Sequence, residues 1–322
     1  MMQDAILDFH KQFEYQPKIE NKSNLKKQKQ FVVLGMGGSH LAADALRAYN
    51  PNIPVIIHSD YGLPAVSLEI LKNSLVIASS YSGNTEEVIE GLESARKKKL
   101  SIAVIAVGGK LLELAKKYRL PYIQLPNTGI QPRSALGFSL MALLTLMDQK
   151  QALNEAKKLC KILKPKIIEK AGKGLAQKLQ RQVPIVYTSE NNRALAYNWK
   201  IKLNETGKIP AFYNVIPELN HNEMTGFDVA KTTTQLSNNF TFLFLTDSSD
   251  HPKNQKRMKI VEKLYKKRGL QTITLPLKGK TRFERMFTSL LLADWTAVHL
   301  AAVYGLESEQ VPMVEEFKKL VG

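Results

Sequence analysis

From Ser79 to Glu87 the chain reads Ser79-Ser80-Tyr81-Ser82-Gly83-Asn84-Thr85-Glu86-Glu87, with the hydroxyls of Ser80, Ser82 and Thr85 set around one glycine. The preceding Leu75-Val76-Ile77-Ala78 is apolar and of strand length, and Val88, Ile89, Leu92 and Ala95 after it recur at helical spacing. A loop that opens a helix presents N–H groups without intrahelical partners, and the positive end of the helix dipole draws an anion toward them. Hydroxyl donors and a glycine that permits close approach suit this loop to a phosphate. An N-cap by Asn84 or Thr85 ahead of two acids accounts for part of the run. It leaves Ser80, Ser82 and Gly83 unexplained.

A second glycine-rich stretch, Gly35-Met36-Gly37-Gly38-Ser39, follows the apolar run at 31–34 and opens another helical segment. Asp60 lies near the place of a ribose-binding acid, which invites a dinucleotide reading, but His40 stands where the fingerprint needs its third glycine. Three polar segments carry further groups of catalytic type: Gln131-Pro132-Arg133-Ser134-Ala135, Lys202-Leu203-Asn204-Glu205-Thr206-Gly207 and Glu218-Leu219-Asn220-His221-Asn222-Glu223. They offer a guanidinium, a carboxylate and an imidazole.

In this order the five segments resemble the signature segments of the bifunctional phosphoglucose/phosphomannose isomerase family, whose phosphosugar loop is that of the sugar isomerase (SIS) domain. The resemblance runs from about residue 32 to the C-terminus. It implies reversible conversion of glucose 6-phosphate to fructose 6-phosphate, and of mannose 6-phosphate, through a cis-enediol. On that resemblance Ser39, Ser80, Ser82 and Thr85 anchor the hexose 6-phosphate, with Gly37, Gly38 and Pro132 in the same substrate-binding set. Glu205 is the base that moves a proton between C2 and C1, and Arg133 stabilises the enediolate. His221 and Lys318 assist ring opening, and the resemblance implies a homodimer in which His221 enters the partner's active site. Dual-specificity members have a threonine before a proline near the C-terminus where glucose-specific relatives have a glutamine. The matching pair here is Val311-Pro312, whose branched valine keeps the room beside C1–C2.

Local chemistry bears on these roles. An acid at a helix C-terminus opposes the dipole, so a plain surface role for Glu205 is slightly disfavoured. The polar cluster around His221 is hard to bury without a purpose. Arg133 equally suits a surface arginine capping a loop, and Lys318-Lys319 equally suits a solubilising end to an amphipathic helix of Val314, Phe317 and Leu320.

The 322 residues carry a net charge of +17. The cations cluster in runs such as Arg96-Lys97-Lys98-Lys99 and Lys266-Lys267-Arg268, at expected helix ends and loops, where a hydrated surface explains them. No aromatic-interleaved RNA motif, zinc-finger spacing or helix-turn-helix accompanies them, so neither a nucleic acid nor a membrane is expected as partner. The start lacks the basic and apolar regions of a signal peptide, and the expectation is a cytoplasmic protein. The lone Cys160 excludes an internal disulfide and reads as a small apolar residue. None of the six histidines forms a His-x-His, His-x3-His or His-Glu-x-x-His pair, so no metal and no cofactor is expected. Rival readings are a non-catalytic phosphosugar-binding regulator, which has no need of Glu205, Arg133 and His221, an isomerase for another phosphosugar, and a basic nucleic-acid-binding protein on a doubly wound fold.

Apolar runs at 31–34, 53–57, 75–78, 102–107 and 122–125 alternate with helical stretches at 41–48, 85–97 and 111–117. That alternation predicts a parallel sheet with helices on both faces. A long apolar helix is expected over 134–148. The second half repeats the plan with strands at 185–188, 242–245 and 272–275, except that Thr246-Asp247-Ser248-Ser249-Asp250 replaces the phosphate loop with two acids that would repel an anion. The expected fold is α/β, two tandem SIS-type domains of three-layer, flavodoxin-like form. The expected division is an N-terminal helix and linker at 1–28, a phosphosugar-binding SIS domain at 29–150, a helical linker at 151–181, and a SIS domain with the catalytic base at 182–322.

Overall fold

The computed structural model describes residues 2–321, which form two compact units. The first, Asp8–Leu163, is built on five parallel strands: β1 (Gln30–Leu34), β2 (Val55–His58), β3 (Ser74–Ser79), β4 (Ser101–Ala106) and β5 (Tyr122–Gln124). Their order is β2-β1-β3-β4-β5. Strands buried on both faces read as continuous apolar runs, and β3 is buried along its whole length. Val32, Leu34, Val76, Ala78 and Val104 meet Val88, Leu92 and Leu111 of the covering helices Glu86–Lys97 and Gly109–Lys117 in one core cluster. The helix Leu136–Leu146 is apolar around most of its circumference because it packs on β4, on the helix Leu41–Tyr49 and on the helix Lys150–Ile162. Strand order reverses between β1 and β3, so the loops after these two strands open side by side at the carboxyl edge of the sheet, where doubly wound folds take ligands.

The second unit, residues 164–321 with the short helix Met2–Leu7, has β6 (Val183–Ser189), β7 (Phe212–Ile216), β8 (Phe240–Thr246) and β9 (Gln271–Pro276) in the order β7-β6-β8-β9, all parallel. This repeats the order of the first four strands of the other unit. Its core centres on Tyr187, Phe242, Phe244 and Tyr265. The 22-residue helix Arg282–Val303 is long and apolar enough to cross a membrane, yet it is mostly buried within the unit, and its Asp294 carboxylate lies 2.6 Å from the buried Lys202 ammonium.

Several elements differ from expectation. β7 is absent from the periodicity reading because Phe212-Tyr213-Asn214 interrupts its apolar run at the sheet edge. The N-terminal helix stops at Leu7 and continues as a 3-10 turn, Phe9–Glu14, that buries Phe9 and Phe13. The Lys-rich segment expected as one linker helix is two, Lys150–Ile162 and Pro165–Leu179, because proline has no N–H to continue a helix and its ring clashes with the preceding turn. Cys160, in the first of these, is half-buried.

Within the second unit Pro165–Leu179 packs along Arg282–Val303, and Gly172 is the point of close approach. A Cβ there would fall 2.4 Å from Trp295 Cβ and 3.0 Å from the Thr296 backbone nitrogen. Gly174 on the same helix has open space at that position. Replacing a helical glycine with alanine gains about 1 kcal/mol at an unconstrained site, whereas overpacking costs about 1–3 kcal/mol. Thermal denaturation should therefore show Gly174→Ala stabilised and Gly172→Ala destabilised relative to the parent, and stabilisation of both would contradict the packing described.

Candidate active site

β3 ends at Ser79, and Ser80 begins the loop as a buried residue. The Ser80 hydroxyl accepts the Gly83 N–H at 3.1 Å and lies 2.7 Å from the Thr85 hydroxyl. Two of the three loop hydroxyls thus brace each other, while the exposed Ser82 accepts the Asn84 N–H at 3.3 Å. Gly83 has φ of 78°, and a Cβ on it would fall 1.8 Å from the Gly108 carbonyl oxygen. No other residue fits that position. The Gly83 carbonyl accepts from Leu111 N–H at 2.8 Å, and the Asn84 side-chain oxygen accepts from Lys110 N–H at 2.9 Å. Asn84 is therefore directed to the next loop, and Thr85, at the N-cap position, makes no side-chain cap bond. The simple N-cap explanation of this run fails on both residues, and the first turn of Glu86–Lys97 keeps its anion-attracting character.

The loop after β1 leans on this one. Ser39 Oγ accepts the Tyr81 N–H at 2.9 Å, and its carbonyl accepts the Ser79 hydroxyl at 3.1 Å. Gly37 has φ of 50°, and a Cβ on Gly38 would lie 3.0 Å from both the Arg133 nitrogen and the Pro132 carbonyl carbon. Pro132 starts the short turn Pro132–Ser134, and buried Gln12 holds it by donating to the Ser134 carbonyl at 2.7 Å. Arg133 is 3% exposed. A surface cap is thus the wrong picture of this arginine. His40, the residue that spoils the dinucleotide fingerprint, turns inward to Asp44 Oδ2 at 2.6 Å. Gly37, Gly38, Ser39, Ser80, Ser82, Thr85, Pro132 and Arg133 consequently gather at one edge of one sheet.

In the second unit Glu205 sits in a π-helical turn, Lys202–Thr206, that continues the helix Arg193–Ile201. Such turns recur at functional sites. The turn is held by the Lys202–Asp294 pair, by Asn204 Nδ2 donating to the Ile209 carbonyl at 2.9 Å, and by Lys208 Nζ donating to the Glu205 carbonyl at 2.7 Å. The same ammonium donates to the carbonyl of Gln310, next to Val311. Val311 in turn accepts the Val314 N–H at 3.0 Å at the start of the helix Pro312–Val321. Glu205 and Val311 thus belong to connected segments. Lys318 stands exposed on that helix, 2.8 Å from Glu315, and Lys319 beside it is also exposed.

His221 ends the turn Glu218–His221, and both it and Asn222 are exposed, so no burial cost argues for a purpose of these two residues. What is anchored is Glu223, whose carboxylate accepts the Tyr187 hydroxyl on one oxygen and the Asn214 amide on the other. Burial foremost, then the neighbouring Tyr265 and Glu223, pushes the Tyr187 phenol well above its ordinary range, so it stays a donor. No motif marks Lys208, Tyr187 or Asn214 in the sequence. A tyrosine hydroxyl inside an otherwise apolar strand was the one available signal.

The equivalent crevice of the second unit is filled from within. Asp247 has a fully buried side chain 2.6 Å from Arg282 Nη1 and 3.5 Å from Arg285 Nε, and it accepts the N–H and hydroxyl of Ser249. Burial pulls its pKa up, but the Ser249 bonds and the two guanidinium groups outweigh burial and hold the carboxyl below its ordinary value. Asp250 accepts the Ser189 hydroxyl at 2.7 Å, and burial raises its pKa. Bare repulsion by two acids was the expectation. The crevice is instead closed by an ion network whose charges largely satisfy one another.

Residues 24–147 match the family model of the SIS domain, and residues 168–321 match that of the bacterial phospho-glucose isomerase C-terminal SIS domain. With the repeated strand order, this defines a tandem SIS-domain protein. The fold is shared with glucosamine-6-phosphate deaminase of Thermotoga maritima at a TM-score of 0.70 and 15% identity, over 97% of this chain and 96% of that one. Among curated proteins, the bifunctional phosphoglucose/phosphomannose isomerase of Caldicellulosiruptor bescii is 35% identical over 89% of this chain and 88% of its own length. That of Aquifex aeolicus is 33% identical over 98% and 96%. The chain belongs to the bifunctional phosphoglucose/phosphomannose isomerase family.

Proposed function

We propose that this protein interconverts glucose 6-phosphate, fructose 6-phosphate and mannose 6-phosphate through a cis-enediol. The observation that carries the reading is the paired loop edge of the first unit, where the hydroxyl-lined helix start and the Gly37-Gly38-Ser39 turn lie against buried Arg133. The names of the relatives that match nearly the whole chain supply the substrates. Ser80, Ser82, Thr85 and the first-turn N–H groups hold the phosphate. His221 and Lys318 serve the ring oxygen as the sugar opens. Glu205 then takes the proton from C2 and returns it at C1, while the Arg133 guanidinium stabilises charge on the enediolate oxygens. The protein acts in the cytoplasm as a homodimer in which each His221 serves the partner subunit, a reading supported by the exposure of His221 in the single chain. Neither nucleic acid nor membrane enters this account.

Phosphate contacts persist from ground state to transition state, whereas a base acts only on the barrier. Ser82→Ala and Thr85→Ala should chiefly raise KM, and Glu205→Gln should lower kcat by about a hundredfold or more with little change in KM. Full activity of Glu205→Gln in a coupled assay would remove the mechanism.

Mixing inactive Glu205→Gln and His221→Ala subunits should restore activity, because one composite site in each heterodimer holds both native groups. Absence of recovery after verified subunit exchange would argue that His221 serves its own chain.

Mannose 6-phosphate turnover should lie within about tenfold of glucose 6-phosphate turnover, a barrier difference of roughly 1.4 kcal/mol. Val311→Gln should suppress the mannose reaction more than the glucose reaction. An equal loss of both would deny Val311 a part in specificity.

A further inference from the structure

We propose that Lys208 is a positioning residue whose ammonium fixes the Glu205 turn to the segment bearing Val311, and thereby sets both the placement of the base and the balance between hexose epimers. The inference rests on the reading of Glu205 as base.

The geometry gives Lys208 a place that no neighbour duplicates among the described anchors. The last carbonyls of a helical segment have no intrahelical donor, and a cation there also complements the negative end of the dipole. Lys208 meets both needs by donating to the Glu205 carbonyl at 2.7 Å, three residues back. Its own φ of 59° is in the left-handed region, which turns the chain back at the end of the turn.

Of the anchors on the Glu205 turn, Lys202 reaches Asp294 of the core helix and Asn204 reaches Ile209 and Ala211 close by in sequence. Lys208 alone of these three runs to the C-terminal segment, through the carbonyl of Gln310. That carbonyl is itself held on a preformed turn. The Glu307 carboxylate accepts the Glu309 N–H at 2.8 Å and the Gln310 N–H at 2.6 Å. Lysine suits the link because one ammonium carries three donors on a flexible stem. The two carbonyls it joins belong to residues separated by 105 positions, 205 and 310.

Glucose and mannose differ only at C2, the atom on which Glu205 acts. A small shift of the base relative to Val311 should therefore alter their ratio, and misplacement by about 1 Å costs on the order of a hundredfold in rate. Lys208→Met keeps the stem and removes the charge. It should lower kcat for both hexoses by about tenfold to a hundredfold, leave KM close to the parent because the phosphate loop is untouched, and shift the mannose-to-glucose turnover ratio. Lys208→Arg, which can still donate to two carbonyls, should restore part of kcat. Amide hydrogen exchange should quicken at Gly207 and at Val314 in Lys208→Met.

Glu307→Ala attacks the link from its other end while leaving Lys208 in place, and should shift the same ratio and quicken exchange at Val314. A parental kcat and ratio in folded Lys208→Met, or a parental ratio and exchange in Glu307→Ala, would overturn the proposal. Glu205→Gln assayed alongside separates the two claims. Its inactivity beside a normal Lys208→Met sinks the link alone, whereas its full activity sinks the assignment of the base.

Discussion

Everything the first unit can offer a ligand depends on the reversal of strand order between β1 and β3. Chains leaving two adjacent parallel strands toward opposite faces part at that point, and the crevice between them lies at the sheet's carboxyl edge. The Ser39 hydroxyl spans the crevice to Tyr81, and Gly83 lets the β3 loop settle against Gly108. These two contacts hold the loop after β3 against its neighbours on either side. Arg133 enters the same edge because Gly38 has no side chain to keep the Pro132–Ser134 turn away.

The second unit has the same reversal, between β6 and β8, and makes nothing comparable of it. Arg282 and Arg285 reach into the crevice and meet Asp247, so the guanidinium groups that could hold a phosphate are already engaged by a buried carboxylate. Breaking a buried pair of this kind from one side costs about 3–5 kcal/mol, which makes the filled crevice a fixed part of the scaffold. The groups of this unit to which we assign chemistry lie elsewhere, on the π-helical turn with Glu205, on the turn with His221, and on the C-terminal helix. On our proposal, one scaffold used twice serves two tasks.

The sequence made the alternation of strands and helices legible because each buried strand of the parallel sheet is a short apolar run bounded by turn residues. It made the phosphate loop legible for the same reason, since hydroxyls and glycine stood out between an apolar strand and an amphipathic helix. β7 escaped because an edge strand need not be apolar throughout, and Asn214 in its middle is there to hold Glu223. Contacts such as Lys208 to Gln310 and Tyr187 to Glu223 escaped because they join residues far apart in sequence, which no local pattern encodes. The burial of Arg133 was equally out of reach, since the glycine that admits it lies about a hundred residues earlier.

The central claim is that a carboxylate moves a proton between C2 and C1 of a phosphorylated hexose. Conversion of glucose 6-phosphate carried out in deuterated water and followed by NMR tests it most directly. The account predicts deuterium at C1 of fructose 6-phosphate and at C2 of recovered aldose in those turnovers where the Glu205 carboxyl exchanges its proton before returning it, and loss of both conversion and label in Glu205→Gln. Conversion at the parental rate by folded Glu205→Gln, or no conversion by the folded parent protein, would contradict it.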